Sequence, residues 1–407
     1  MEKLLRKYAE LVIKVGVNLK QGEELVINSP ITASNFARII AEEAYKVGAK
    51  RVTVFWSDEQ LSKINFTYED VETLTDIPKW LVESRNYVID KKAAYISIVS
   101  DDPEIFMDVD PDKLSATSRA TRKAMKRFGD AAMTNEIKWN VIAYPHLAWA
   151  KMISPDLSDD QAMAHLWSLI IKAMRLDVED SVGAWKAHQD RLKSVCKTLN
   201  NLNIKTLRYK NSIGTNFSID LPKDYYFTGS SELSKDGVEF TANMPTEEVF
   251  TAPHRLSANG KVVASMPLFY NGNRIEDFWF IFKDGKVIDF DAKIGKDILT
   301  NLLDTDNGSK YLGEVALVEY DSPIQKLNTL FYDTLFDENA SCHFALGKAY
   351  PCIKNSENLS LDELLKAGIN ESLEHVDFMI GTHDLNIVAI DYDGKETQIF
   401  EDGNFVI

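Results

Sequence analysis

Cysteine is scarce: the 407 residues hold three, Cys196, Cys342 and Cys352. An odd, sparse count argues against a disulfide framework, and without a CxxC pair a structural zinc knot lacks its ligands. The same count points to a reducing compartment, and a cytoplasmic protein is the expectation. No apolar run approaches the roughly 18 residues needed to cross a bilayer. The N-terminus, Met1 to Tyr8, reads as an amphipathic helix without the apolar core and cleavage site of a signal peptide. Basic residues are outnumbered, 46 against 62, for a formal charge of −16. A phosphate backbone and an anionic membrane would both be repelled, so neither nucleic acid nor membrane is an expected partner. Four motifs are also missing. No G-x-G-x-x-G follows a strand pattern, and G-x-x-x-x-G-K-[ST], H-E-x-x-H and G-x-S-x-G do not occur. Dinucleotide binding, P-loop chemistry, zincins and α/β-hydrolases lose their signatures.

What is present is an ordinary globular balance, 45% hydrophobic and 27% charged, in a chain long enough for two cores. In the first half, apolar runs at 24–28, 51–56, 93–99 and 138–143 alternate with helical patterns at 33–47, 111–129, 159–175 and 182–199. Strand–helix–strand at such spacing predicts an α/β domain with a mainly parallel sheet over 1–204. Beyond about residue 204, short extended runs are punctuated by Asp284-Gly285, Asp393-Gly394 and Asp402-Gly403. Asp-Gly between apolar runs is a hairpin signal, so 205–407 reads as an α+β domain with mixed or antiparallel strands. One helix there, from Ser360, carries a capping box completed by Glu363.

The chemistry-bearing residues gather in that second half. In His375-Val376-Asp377 the two polar side chains share one strand face, roughly 7 Å apart at about 3.3 Å per residue, a spacing that can hold a cation. His343 lies in a small, apolar run; a satisfied core histidine is the plainer reading of it, and packing the plainer reading of its neighbour Cys342. Glu314 shares a strand face with Ala316 and Val318, where a carboxylate is costly unless paired or metal-bound. Glu319, on the other face, is expected to meet solvent. Glu247 and Glu248 stand between Pro245 and Pro253, where a capped turn with solvated carboxylates is the plain alternative. Two imidazoles with two or three carboxylates suit zinc, cobalt or manganese rather than calcium, and suit a two-metal hydrolase.

Four strings, NMPTEEVFTAP (243–253), GEVALV (313–318), NASCHFALGKAYP (339–351) and HVDFMIG (375–381), resemble, in order, those of the aminopeptidase T, aminopeptidase S and PepS group of metallopeptidases. VGVNLKQGEELVI (15–27) and WNVIAYPHLAWA (139–150) extend the resemblance to the N-terminal half. It implies a metal-dependent aminopeptidase, an N-terminal α/β domain, a C-terminal metal-binding domain, a homodimer, and peptides with a free N-terminus as substrates. It implies two divalent ions held by Glu248, Glu314, His343, His375 and Asp377, with Glu248 preferred over Glu247, and a catalytic role for Tyr350. Whether Glu248 or Glu314 also moves protons stays open at this stage. The His254-Arg255 segment departs from the family pattern. A different two-metal hydrolase, and a peptide-binding protein that has kept the fold, are the rival readings.

Overall fold

The computed structural model describes residues 1–270 and 273–407. The chain forms two compact units, one of residues 1–189 and 231–245, the other of 190–230 and 246–407.

The first unit is built on a five-stranded sheet: β1 (Glu24–Pro30), β2 (Arg51–Ser57), β3 (Ala94–Val99), β4 (Trp139–Ala143) and, at the edge, β10 (Asn243–Met244). Every pairing in it is parallel. Leu25, Val26 and Ile27 of β1 are all buried, as in a strand covered on both faces. Helix α2 (Ser34–Lys46) buries Phe36, Ala37, Ile39, Ile40 and Ala44, and Gly48 follows its end at φ +93°. The remaining helices of this unit are α1 (Glu2–Leu11), α3 (Glu59–Tyr68), α4 (Val71–Thr75), α5 (Lys79–Lys91), α6 (Pro111–Ala124), α7 (Lys126–Met133), α8 (Leu147–Ile153) and α9 (Asp159–Ala173). The single helix predicted over 111–129 is two, parted at Met125. Helix α3 buries none of its residues, and its Leu61, Ile64 and Tyr68, at helical spacing, are exposed.

The unit boundary falls within α10 (Ser181–Asn201), and the chain later returns to the first unit at 231–245. The single boundary expected at 204/205 therefore does not describe the structure. The returning segment carries a small hairpin of β8 (Glu232–Leu233) and β9 (Glu239–Phe240), then β10, whose backbone completes the edge of the parallel sheet beside β4.

The second unit has two larger sheets. One is a long sheet of β5 (Ile204–Lys210), β6 (Asn216–Asp220), β12 (Asn259–Val263), β13 (Leu268–Tyr270), β14 (Asn273–Lys283), β15 (Lys286–Ile294), β19 (Asn386–Asp391), β20 (Glu396–Glu401) and β21 (Asn404–Phe405). The three Asp-Gly turns join β14 to β15, β19 to β20 and β20 to β21. The other sheet runs β18-β17-β16-β11-β7, from β7 (Thr228–Gly229), β11 (Val249–Thr251), β16 (Leu312–Leu317), β17 (His343–Gly347) and β18 (His375–Met379). Its pairings are all antiparallel. Short helices α11 (Lys296–Leu303), α12 (Thr334–Asp337) and α13 (Leu361–Lys366) complete the unit, the last with its Ser360/Glu363 capping box formed.

The β18-β17-β16-β11 face is what positions the site. Val249, Val315, Leu317, Phe344, Leu346, Val376 and Phe378 enter one core with Tyr209, Phe217, Phe278 and Phe280 of the long sheet. Fully burying each such side chain stabilises by about 1.5–3 kcal/mol. Strand alternation then sends Phe250, Glu314, Ala316, His343, Ala345, His375 and Asp377 to the opposite face. A register shift between Leu312 and Glu314 lets Leu312 join the core while Glu314 faces the other way. Gly313 sits at this irregularity, and a Cβ there would stand 2.4 Å from the Lys348 carbonyl oxygen. Gly313→Ala should therefore cost about 1–3 kcal/mol of stability, measured by denaturant unfolding. An unchanged midpoint would show that the bulge has room to spare.

Candidate metal centre

The cross-strand register brings the predicted residues together. Glu314 on β16 pairs with Ala345 on β17, and Ala345 pairs with Asp377 on β18, so two carboxylates flank one small side chain. His343 stands beside Ala316, and His375 beside Gly347, on the same face. Glu248 enters from the residue before β11. Nε2 of His343 lies 3.1 Å from Glu248 and 3.6 Å from Glu314; Nε2 of His375 lies 3.6 Å from Glu314 and 3.5 Å from Asp377. All five predicted ligand residues thus fall in one cluster.

Both imidazoles are aimed by backbone. Nδ1 of His343 is 3.0 Å from the Ser341 carbonyl oxygen and Nδ1 of His375 is 2.7 Å from that of Lys348. A carbonyl accepts only, so each Nδ1 carries hydrogen and each Nε2 is turned into the cluster, the tautomer a metal ligand needs. Among the described residues, two triads bring potential ligand atoms within 4.8 Å of one another: Glu248, Glu314 and His343, and Glu314, His375 and Asp377. Glu314 belongs to both.

Burial and like charge set the proton affinities. Burial alone would lower the pKa of His343; its contacts with Glu248 and Glu314 outweigh that and hold it well above the usual value. Burial is likewise outweighed at His375 by Asp377 and Glu314, which raise it to about 10. Glu314 is raised by burial and by the charges of Glu248 and Asp377. At Asp377, burial is overcome by His375 and its pKa is lowered. Even so, Glu248 Oε2 and Asp377 Oδ1 are buried oxygens that no aligned hydrogen bond satisfies. Buried acceptors left in this state are costly. A divalent cation between the carboxylates and the neutral faces of the imidazoles would satisfy them, so the residues fit a metal centre.

Several sequence expectations need correction. Glu247 and Glu248 are buried rather than solvated in a turn, and the Glu247 amide donates to Asn339 Oδ1 at 2.7 Å. His343 is no isolated core histidine. Glu319 is half-buried and ion-paired with Arg191, where solvent contact was expected. Cys342 matches its packing role: it is buried, and its Sγ lies 3.3 Å from both the amide nitrogen and the carbonyl oxygen of Val318. His254 is outside the cluster; its ring packs against Gly368. Tyr350 is half-buried, 5.7 Å from the His375 ring and 5.6 Å from the Phe250 ring between centroids.

Sequence reasoning missed Glu338. It lies in a turn of 3-10 helix just before the His343 strand, and burial together with the charges of Asp377 and Glu248 raises its pKa well above the usual value. The signal was available: Asp337-Glu338 stand immediately before a buried apolar run, where acidic side chains need partners. Asp337 meets that need locally, accepting from the Phe331 and Asp333 amides at 2.8 and 3.2 Å.

The profile of the thermophilic metalloprotease family, M29, matches residues 1–405. The chain belongs to that family. Aminopeptidase 2 of Geobacillus stearothermophilus is 44% identical over 99% of this chain and 98% of its own length. Aminopeptidase AmpS of Bacillus subtilis is 40% identical over 98% of each. The solved structure of wild-type AmpT from Thermus thermophilus superposes with a TM-score of 0.92 at 35% identity, covering all of both chains. The two-part fold class predicted from the sequence holds in this M29 chain.

The protonated imidazoles carry a consequence for ion binding. Divalent ions held by His343 and His375 would displace protons from them, so binding should release protons and tighten as pH rises toward about 10, where His375 loses its proton. Calorimetric titration with zinc in buffers of different ionisation enthalpy checks this. Identical heats in all buffers would show that the two imidazoles are already neutral before the ion enters.

Proposed function

We propose that this M29 chain is a metalloaminopeptidase whose two divalent ions would be held by Glu248, Glu314, His343, His375 and Asp377. The carrying observation is the pair of triads with one carboxylate in common. Zinc, cobalt and manganese suit this ligand chemistry, with nitrogen and carboxylate donors and no thiolate. The relatives bear aminopeptidase names, which supports peptides with a free N-terminus as substrates. The sparse cysteines, and the absence among the described residues of any helix long and apolar enough to cross a membrane, support the cytoplasm as its place of action. A homodimer is the assembly the family resemblance supports.

When bound, the ions supply Lewis-acid chemistry, lowering the pKa of a water and polarising the peptide carbonyl. The chain's own groups do the rest. Glu248 or Glu314 would take up a water's proton and pass it to the leaving amine. In this reading Tyr350, whose ring lies 5.7 Å from that of His375, would donate its phenolic hydrogen to the developing oxyanion, a contact worth about 2.7–4 kcal/mol when well aligned.

Replacing His343, His375 or Asp377 by Ala should abolish tight binding of at least one ion and release of a chromogenic aminoacyl amide. Full activity in any of the three would remove that residue from the site. Tyr350→Phe should keep its metal content and lose about 100–1,000-fold in kcat; loss of metal instead would make Tyr350 a structural neighbour of His375 only. Phosphate esters turned over faster than aminoacyl amides would favour a different two-metal hydrolase.

A further inference from the structure

Asp306 lies in the loop between α11 and β16, and its carboxylate collects more donors than its own turn requires. Oδ1 accepts from the amides of Gly308 and Ser309 at 2.7 and 3.0 Å and from the Ser309 hydroxyl at 3.0 Å. Those bonds close the loop. The others reach across the fold: the Ser372 hydroxyl lies 2.9 Å from Oδ1 and 3.1 Å from Oδ2, and the Leu373 amide donates to Oδ2 at 2.6 Å. These bonds grip the turn that delivers His375, two residues further on. The pKa of Asp306 is lowered despite its burial, because so many donors favour the anion.

Three backbone segments meet there with no slack. Asn370 Nδ2 donates to the carbonyls of Gly308 and Gly347 at 2.9 and 2.6 Å. A Cβ on Gly308 would stand 1.9 Å from the Glu371 carbonyl oxygen, and one on Gly347 2.2 Å from that of Glu374. The Lys348 amide donates to the Glu374 carbonyl at 2.6 Å, and the Ala349 amide to the Asn370 carbonyl at 3.0 Å. Lys348 in turn offers the carbonyl that accepts from His375 Nδ1, and Tyr350 follows two residues later.

We propose that Asp306 is a positioning residue for His375, clamping the 372–373 turn against its own 306–309 loop, which Asn370 ties to Gly347, so that Lys348 holds Nδ1 and Nε2 faces Glu314 and Asp377. The inference rests on the reading of His375 as a metal ligand. An asparagine keeps the shape but not the function, because its NH2 group must face either the Leu373 amide or the Gly308 and Ser309 amides and can accept from neither set. Groups that orient metal ligands from behind typically carry about 10–100-fold in metal affinity or activity.

The test uses the full chain carrying Asp306→Asn, with Asp391→Ala as a stability control. Asp391 takes the amides of Asp393 and Lys395 in a hairpin turn of the same unit, so its loss removes comparable turn bonds. Three readouts are taken: the His375 Nδ1–H signal in long-range proton–nitrogen spectra of metal-free protein, zinc affinity by chelator competition, and kcat and KM on an aminoacyl amide. Asp306→Asn should shift or broaden the His375 signal and weaken one zinc by about 10–100-fold. It should also lower kcat more than it raises KM, with excess zinc restoring part of the rate. Asp391→Ala should lower the thermal midpoint alone. If Asp306→Asn unfolds more easily yet keeps the His375 signal and the wild-type zinc affinity, Asp306 is merely structural and the inference is overturned. Should the asparagine variant not fold, Ser372→Ala removes only the hydroxyl from the clamp and must move the same three readouts in the same direction, or the inference falls. Failure of the wild-type protein to bind zinc at all would sink the metal-centre reading, while the His375 signal would still decide the role of Asp306.

Discussion

Like charge crowded onto one buried sheet face is the constraint around which the second unit is arranged. Glu248, Glu314, Glu338 and Asp377 share a space from which water is largely excluded, and carboxylates so placed repel one another strongly unless cations or protons intervene. The two histidines answer part of that demand in the metal-free protein. Glu248 Oε2 and Asp377 Oδ1, 3.1 and 3.5 Å from imidazole Nε2 atoms yet without an aligned hydrogen bond, mark what remains unanswered. Divalent ions would resolve the conflict that the bare protein meets with protons, and the charge density that makes the site costly is what makes it selective for cations.

The rest of the unit keeps those groups from relaxing apart. The face opposite the cluster is locked by an aromatic core in which Phe344 and Phe378, neighbours in sequence of the site residues, pack against Tyr209, Phe217, Phe278 and Phe280. Alternation ties the two faces together: moving a carboxylate away from the cluster would pull a core aromatic out of its packing. Backbone carbonyls at Ser341 and Lys348 then remove the last rotational freedom of the imidazoles. Rigidity of this kind is what an ion pair needs, because ligands held in place cost little ordering entropy on binding.

The five predicted ligands carried different amounts of information. His375 and Asp377 were readable as one face of a strand from their i, i+2 spacing, and Glu314 from the cost of a carboxylate among apolar neighbours. His343 was not readable from its own surroundings, which are those of a core residue; only its place in the family string singled it out. Glu247 and Glu248 looked like any acidic turn, since nothing local says that the turn is buried. Glu338 went unread because its segment is a short 3-10 turn without periodicity, and although its acidic pair ahead of an apolar run was a local signal, the groups it meets lie about 40 positions downstream and 90 upstream.

In the fold, local chemistry was enough for the hydrophobic strands of the parallel sheet, the Asp-Gly hairpins and the capped helix at Ser360, because buried runs, turn dipeptides and capping boxes act over a few residues. Tertiary structure decided the remainder. Helix α3 carries Leu61, Ile64 and Tyr68 at helical spacing, yet the fold leaves that stripe exposed. The 231–245 segment belongs with the first unit because β4 has an open edge that its backbone completes. The candidate metal cluster forms because the cross-strand register and a bulge at Gly313 set Glu314, His343, His375 and Asp377 side by side. Hydrophobic pattern and turn chemistry are encoded within a segment, whereas register, edge pairing and the meeting of charges are settled only when distant segments compete for the same neighbours.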